Sequence, residues 1–198
     1  MAVEIRPRRL RGPWTEGYAL DLHTTKSVFL GYDAYGRNVF ENTRSPLGEL
    51  LYRFKYRGDP STLGEIVEIV VAYLGKWAPP VEALVPVPPS NIARRRQPVI
   101  EIARALCASA GIPLCAACIT KTKSTPQLKN VYDLKQRTGL LKDAFAVDRD
   151  QTGGRSVLLF DDLYRSGATA SAITRLLLTE GAVSGVYLLT LTQTRSTL

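Results

Sequence analysis

After Pro46 the apolar residues Leu47, Leu50, Leu51 and Phe54 fall at i, i+3, i+4 and i+7, the spacing of one buried helical face. That helix delivers Lys55, Tyr56, Arg57 and Gly58 to its C-terminal end. Asp59-Pro60 then reads as an N-cap and a first-turn proline opening a second helix through about Leu74, with Gly75 to Pro80 as a linker. Upstream, loose alternation from Tyr18 to Phe40 around the turn residues Asp33 to Arg37 predicts a β-hairpin, with His23 an ordinary strand residue in it. Downstream, short β-rich runs alternate with helical stretches: strand Ala83 to Val87, helix Pro98 to Ala110 stopped by Gly111, strand Leu114 to Thr120, strand Val157 to Phe160, a helix to Glu180 stopped by Gly181, and strand Gly185 to Leu191. This alternation predicts an α/β fold with a parallel sheet flanked by helices. A long polar stretch, Lys121 to Leu141, interrupts it, and such stretches inside compact domains are functional or disordered.

The length of 198 residues suits one domain, which we divide into a basic arm and hairpin (1–45) and the α/β portion (46–198). With 45% hydrophobic and 22% charged residues, wholesale disorder and fibrous repeats are excluded. No apolar run approaches the ~20 residues of a membrane span, and Met1 to Arg11 has charges with no apolar stretch behind them, so the expectation is a soluble, cytoplasmic protein without a membrane partner. Three cysteines argue against a disulfide framework. Cys115 and Cys118, in Leu114 to Ile119, read as small core residues of a buried strand. The net charge of +8 points to an anionic partner, and the arm's Arg6, Arg8, Arg9 and Arg11 read as a solvated tail or a phosphate contact.

The chemistry concentrates in Val157 to Thr169. An apolar strand ends at Asp161 and Asp162, and a short loop of Arg165, Ser166, Gly167, Ala168 and Thr169 leads into a helix. In an open α/β sheet ligands bind at the C-terminal edge of the strands. A helix N-terminus with nearby hydroxyls suits a phosphate, and paired carboxylates suit vicinal ribose hydroxyls or a magnesium ion held through its waters. Together they describe a ribose 5-phosphate site. The order of strand, acid pair, spacers and loop is more specific than any of its parts, each of which also fits a solvated turn.

This 13-residue segment resembles the phosphoribosyl pyrophosphate (PRPP) signature of type I phosphoribosyltransferases, and more of the chain resembles the ComF branch of that superfamily. Arg53-Phe-Lys-Tyr-Arg-Gly-Asp59 is similar to the branch's first basic motif and Val85-Pro-Val-Pro88 to its pyrophosphate-side strand and loop. Thr125-Pro-Gln127, Arg137 and Ala144-Phe145 fall where its mobile loop and following strand would be. The resemblance spans about Leu47 to Thr192 and implies a type I phosphoribosyltransferase-like sheet with the N-terminal hairpin as its hood. It further implies that Asp161 and Asp162 hold the ribose hydroxyls, that Arg165 to Thr169 wrap the 5-phosphate, and that Pro88, Pro89, Ser90, Arg94, Arg95 and Arg96 face pyrophosphate. Lys121, Lys123 and Arg137 would close over the reacting centre, with Lys55 and Arg57 as candidate anion contacts. Mg²⁺ would serve as cofactor through the ligand and waters near the two aspartates, with no direct protein ligands.

The sequence departs from the family pattern in four ways. The N-terminal zinc-binding cysteine cluster is missing. Arg165 stands where the branch has Thr and where purine-salvage relatives have an Asp that serves as a base. Arg94-Arg-Arg-Gln-Pro98 replaces an Arg-Gly-Phe-Asn-Gln motif, and Leu140 an Asn. Three functions therefore compete: a magnesium-dependent enzyme transferring phosphoribose from PRPP to an unknown acceptor with loss of pyrophosphate, a non-catalytic PRPP or nucleotide sensor acting through a protein or DNA partner in a competence-like role, and a non-specific nucleic-acid binder. The last is weakened by an aromatic content of 8% with no basic-aromatic interleaving. Oligomeric state is left open, a homodimer included.

Overall fold

A computed structural model describes residues 3–89, 96–122 and 144–195. Its elements are β1 (Arg8–Arg9), β2 (Glu16–Leu22), β3 (Thr24–Tyr32), β4 (Asn38–Arg44), α1 (Pro46–Tyr52), a π-helical turn (Arg53–Arg57), α2 (Thr62–Trp77), β5 (Ala83–Pro86), α3 (Pro98–Ala110), β6 (Ile119–Lys121), β7 (Phe145–Val147), α4 (Arg149–Thr152), β8 (Ser156–Tyr164), α5 (Ala168–Thr179) and β9 (Gly185–Gln193). The main sheet has the order β1-β2-β9-β8-β5, and Leu114 adds a parallel bridge to Leu84 at the β5 edge. Strands β2, β9, β8 and β5 are mutually parallel; only β1 is antiparallel. The fold is thus α/β, a mostly parallel sheet flanked by helices.

Alternation along the central strands splits the apolar residues between two faces, because successive strand side chains point to opposite sides. Leu158 and Phe160 join Leu47, Leu51, Phe54, Ile66 and Ile102 of the first three helices. Val157 and Leu159 join Ile173 and Leu177 of α5, with Trp14 and Cys118. Strand β8, covered on both sides, is therefore a continuous apolar run until its acids.

Several elements differ from the sequence expectation, each for a local reason. The predicted hairpin from Tyr18 is displaced: β2 pairs in parallel with β9, and the hairpin is β3/β4, whose turn is held by Asp33 Oδ1 accepting from Tyr35 N–H and Arg37 N–H. His23 lies in the junction between β2 and β3. The arm is the edge of the main sheet, Arg8 facing Ala19 and Arg9 facing Tyr18, with buried Leu10 accepting the Trp14 indole N–H at 2.9 Å. Helix α2 begins at Thr62, because Asp59 turns its carboxylate to Arg53 and to Ser61 N–H instead of capping a helix at Pro60. Leu114 to Thr120 is not one strand: a turn at Ala116-Ala117 separates the Leu114 bridge from β6. That turn brings Cys115 and Cys118 into a disulfide, Cα atoms 5.5 Å apart, so the pair is more than small core filling. Helix α5 ends at a turn where Ala182, φ 50°, and not Gly181 is left-handed. Strand β8 runs on to Tyr164, since Asp161, Leu163 and Tyr164 continue to pair with Thr190, Thr192 and Gln193.

Helix α1 starts where Ser45 accepts from Gly48 N–H and its own hydroxyl donates to the Leu22 carbonyl, which ties the helix to the end of β2. A Cβ at Gly48 would fall on the His23 carbonyl. Gly48→Ala should cost about 1–3 kcal/mol, the usual penalty of overpacking, read from urea unfolding.

Candidate active site

The connections that leave β5 and β8 diverge. From β5 the chain passes through α3 to Leu114 at the outer edge, and from β8 it passes through α5 to β9 on the other side. α3 and α5 cover opposite faces of the sheet. Between the C-terminal ends of β5 and β8 this divergence leaves a crevice, the place where open α/β sheets bind ligands. A cleft of about 230 Å³ lies there, lined by Lys55, by Val87, Pro88 and Pro89 after β5, by Gln97 to Ile100 at the start of α3, and by Asp161, Asp162 and Thr169.

The two carboxylates stand on consecutive strand positions and so on opposite faces. Asp162 shares the face of the first helices, and Lys55, from the π-helical turn, reaches it at 2.5 Å. Both side chains are largely buried. Burial pulls the Lys55 ammonium down, but Asp162's charge and hydrogen bond, helped by Tyr56 and Asp161, outweigh it and the net shift is upward. Among the described residues Asp161 has no cation of its own, and its carboxylate accepts only from Asp162 N–H, at 2.8 Å. It keeps some exposure at the cleft mouth but is hemmed in by protein. Burial first, then the charge of Asp162, hold it well above the ordinary carboxylate range, against the backbone N–H and Lys55.

The chain then turns at Arg165 and Ser166, both exposed, and enters α5 through Gly167. Gly167 is left-handed, φ 74°, and a Cβ there would strike the Tyr164 hydroxyl, so glycine is required on both counts. No side chain caps α5 and its first turn carries no acid, which leaves the positive end of the helix dipole to whatever the loop holds. Tyr164 is the floor of the loop, packed edge-on against Trp14 with centroids 6.2 Å apart.

His23, the chain's one histidine, joins this edge from β2. The Thr192 hydroxyl donates its single proton to the Asp162 carbonyl at 3.1 Å, so at 3.3 Å its oxygen accepts from His23 Nδ1. This assigns the Nδ1–H tautomer and leaves Nε2 with a lone pair. Burial, then the charges of Lys55 and Arg44, hold the imidazole below its ordinary value, with Asp162 opposing them and Arg165 adding to them. Sequence reasoning missed this line across β2, β9 and β8 because the register that joins it is not local. The alternation of Thr190 and Thr192 in an otherwise apolar strand was the available signal.

The other expected site residues are more scattered. Pro88 and Pro89 line the cleft. Arg96 instead binds Glu101 at 2.7 Å and lies over the Phe54 ring. Arg57 is exposed, 5.8 Å from the Tyr52 ring centroid. Lys121 ends β6 and is not among the cleft's lining residues, and burial lowers its ammonium. Ser90, Arg94, Arg95, Lys123 and Arg137, with Thr125 to Gln127 and Leu140, lie outside the described residues. None of the cleft's lining residues comes from the β3/β4 hairpin expected as the hood.

No known family's sequence profile matches this chain, and no curated protein does. Solved structures with a similar chain course include adenine phosphoribosyltransferase from Leishmania tarentolae, at 12% identity over 95% of this chain and 94% of that one, TM-score 0.49. Adenine phosphoribosyl transferase from Trypanosoma brucei, solved with AMP, pyrophosphate and ribose-5-phosphate, matches at 13% identity over 78% and 82%, TM-score 0.49. The adenine phosphoribosyltransferase from Thermoanaerobacter pseudethanolicus matches at 11% over 85% and 94%, TM-score 0.47.

Among the described residues no three of His, Cys, Asp and Glu converge as a protein-only metal site, and no helix is long and apolar enough to cross a membrane. A magnesium ion is commonly held by one or two carboxylates, waters and substrate phosphates. Asp161, with no cationic partner among the described residues, fits that manner of binding.

Asp161→Asn removes a carboxylate that the fold holds at a cost. It should raise Tm by about 2–4 °C at pH 8, the equivalent of about 1 kcal/mol in a chain this long. The gain should vanish below about pH 3, where folded and unfolded chains both carry the proton, and grow as pH rises toward the raised value. For His23 the sign is opposite. NMR titration of its imidazole should give a value below about 6.5, and the fold should lose stability as pH falls from about 6.5 down to that value, because the unfolded chain takes up the proton first.

Proposed function

We propose that the protein is a PRPP-binding, phosphoribosyltransferase-like enzyme. One observation carries the reading: an acid pair and an uncapped helix entry meet at a single switch-point cleft. In this reading Arg165 to Thr169 take the 5-phosphate through backbone N–H groups and the Ser166 and Thr169 hydroxyls, and Asp161 and Asp162 accept from the ribose hydroxyls. For Asp162 to do so, Lys55 must share it or swing away, and the released ammonium would then be available to the departing pyrophosphate. A magnesium ion, held by Asp161 through water and by the ligand's phosphates, would supply neutralising charge to that leaving group. Pro88 and Pro89 form the opposite wall, where pyrophosphate would lie.

The placement of Arg165 also favours a second reading, a PRPP or nucleotide sensor that binds without turnover and acts through a protein or DNA partner. Calorimetry with PRPP and Mg²⁺ tests what the two readings share. Binding is expected, and Asp161→Asn with Asp162→Asn should weaken it at least tenfold, with an unchanged affinity refuting the site. Pyrophosphate release across a panel of bases and amines separates them: release marks the enzyme, and binding with no release marks the sensor.

A further inference from the structure

Cys115 and Cys118 flank the exposed turn Ala116-Ala117 and are joined as a disulfide. As a staple the bond adds little. A loop of four residues removes only a small part of the unfolded chain's entropy. The backbone on either side is already held: Leu84 N–H donates to the Pro113 carbonyl at 2.8 Å, Cys115 N–H to the Leu84 carbonyl at 2.9 Å, and Asp148 N–H to the Cys118 carbonyl at 2.8 Å. The chain's third cysteine, Cys107, packs in the core on the opposite face of the sheet, where burial pushes its thiol up to about 11. The two sulfurs of the turn therefore have only each other, or a thiol from outside, to react with.

A fourth side chain distinguishes the two redox states of the pair. Gln151 Nε2 donates to Asp148 Oδ2, and since a carboxylate only accepts, this fixes which way the amide points. Gln151 Oε1 thereby faces the sulfurs, 3.5 Å from Cys115 Sγ and 4.0 Å from Cys118 Sγ. A carbonyl oxygen accepts from a thiol S–H, and a disulfide has no proton to give it. Gln151 is thus a hydrogen-bond partner for the reduced pair alone, and the fold holds it in place before reduction occurs.

We propose that Cys115 and Cys118 form a thiol–disulfide exchange site that reacts with a dithiol reductant. One thiolate of the reductant attacks Cys115 Sγ, the more exposed residue at 8% against 1%. The S–S bond breaks with its electron pair on Cys118 Sγ, which takes a proton from water. The reductant's second thiolate then displaces Cys115 Sγ from the mixed disulfide, and that sulfur is protonated in turn. Two electrons and two protons reach the protein, and the reductant leaves as its own disulfide. The new Cys115 S–H donates to Gln151 Oε1, which draws the equilibrium toward the dithiol. The exchange is independent of what the cleft binds.

The test equilibrates the oxidised full chain, without denaturant, in mixtures of reduced and oxidised glutathione, followed by acid quenching, unfolding and maleimide labelling counted by mass. One label, on Cys107, is expected at the oxidising end and three at the reducing end, with circular dichroism unchanged. Dithiothreitol should complete the reduction within about an hour. Cys118→Ser should trap one glutathione on Cys115 faster than Cys115→Ser traps one on Cys118. Gln151→Leu should need about twofold to tenfold more reducing conditions for half reduction, the worth of one hydrogen bond. Three labels in every mixture, one label in every mixture until the chain is unfolded, or a Gln151→Leu midpoint equal to the parent's overturns the proposal.

Discussion

Covering β8 on both faces is the constraint from which the site follows. A strand sandwiched between α5 and the first three helices must be apolar on both sides, so polar chemistry can be placed only where the covering stops. It stops at Asp161, and the two next side chains emerge on opposite faces of one crevice. One meets a lysine brought by the first helices. The other pairs with no cation among the described residues. The asymmetry of the acid pair, one neutralised and one strained, is thus a product of strand alternation, and it would be the same for any two acids in those places.

What could be read from the sequence was what is local. The helical period at Leu47 to Phe54, the stop at Gly111 and the apolar run at Val157 to Phe160 are short-range patterns, and they correspond to elements. The acid pair and the glycine loop were legible because their spacing is fixed along one strand and one turn. What escaped depends on register. That Lys55 meets Asp162 follows from packing a helix on a sheet 107 residues further along. That His23 reaches Thr192 follows from β2 lying beside β9, which no periodicity announces. Pattern also misled where a side chain had a better partner: Asp59 chose Arg53 over a helix cap, and Arg96 chose Glu101 over the cleft.

The arginines of the arm lie along an edge strand, at one extreme of the sheet, while the cleft between β5 and β8 is at the other. The described side chains of the cleft include two acids and one lysine, beside the backbone N–H groups at the start of α5. Such donors do not titrate. They keep their polarity at any pH the fold tolerates, whereas the carboxylates beside them do not.

The ring pair beneath the glycine loop links these two extremes. Tyr164 supports the loop and rests edge-on against Trp14, and the Trp14 indole is fastened to the Leu10 carbonyl beside β1. A loop seated on bare backbone could give a little when a ligand arrives. One seated on an edge-on ring pair cannot sink without tilting the indole and tugging on the first strand. The rigidity of the loop is therefore set at the margin of the sheet, and the opening residues of the chain act as its abutment.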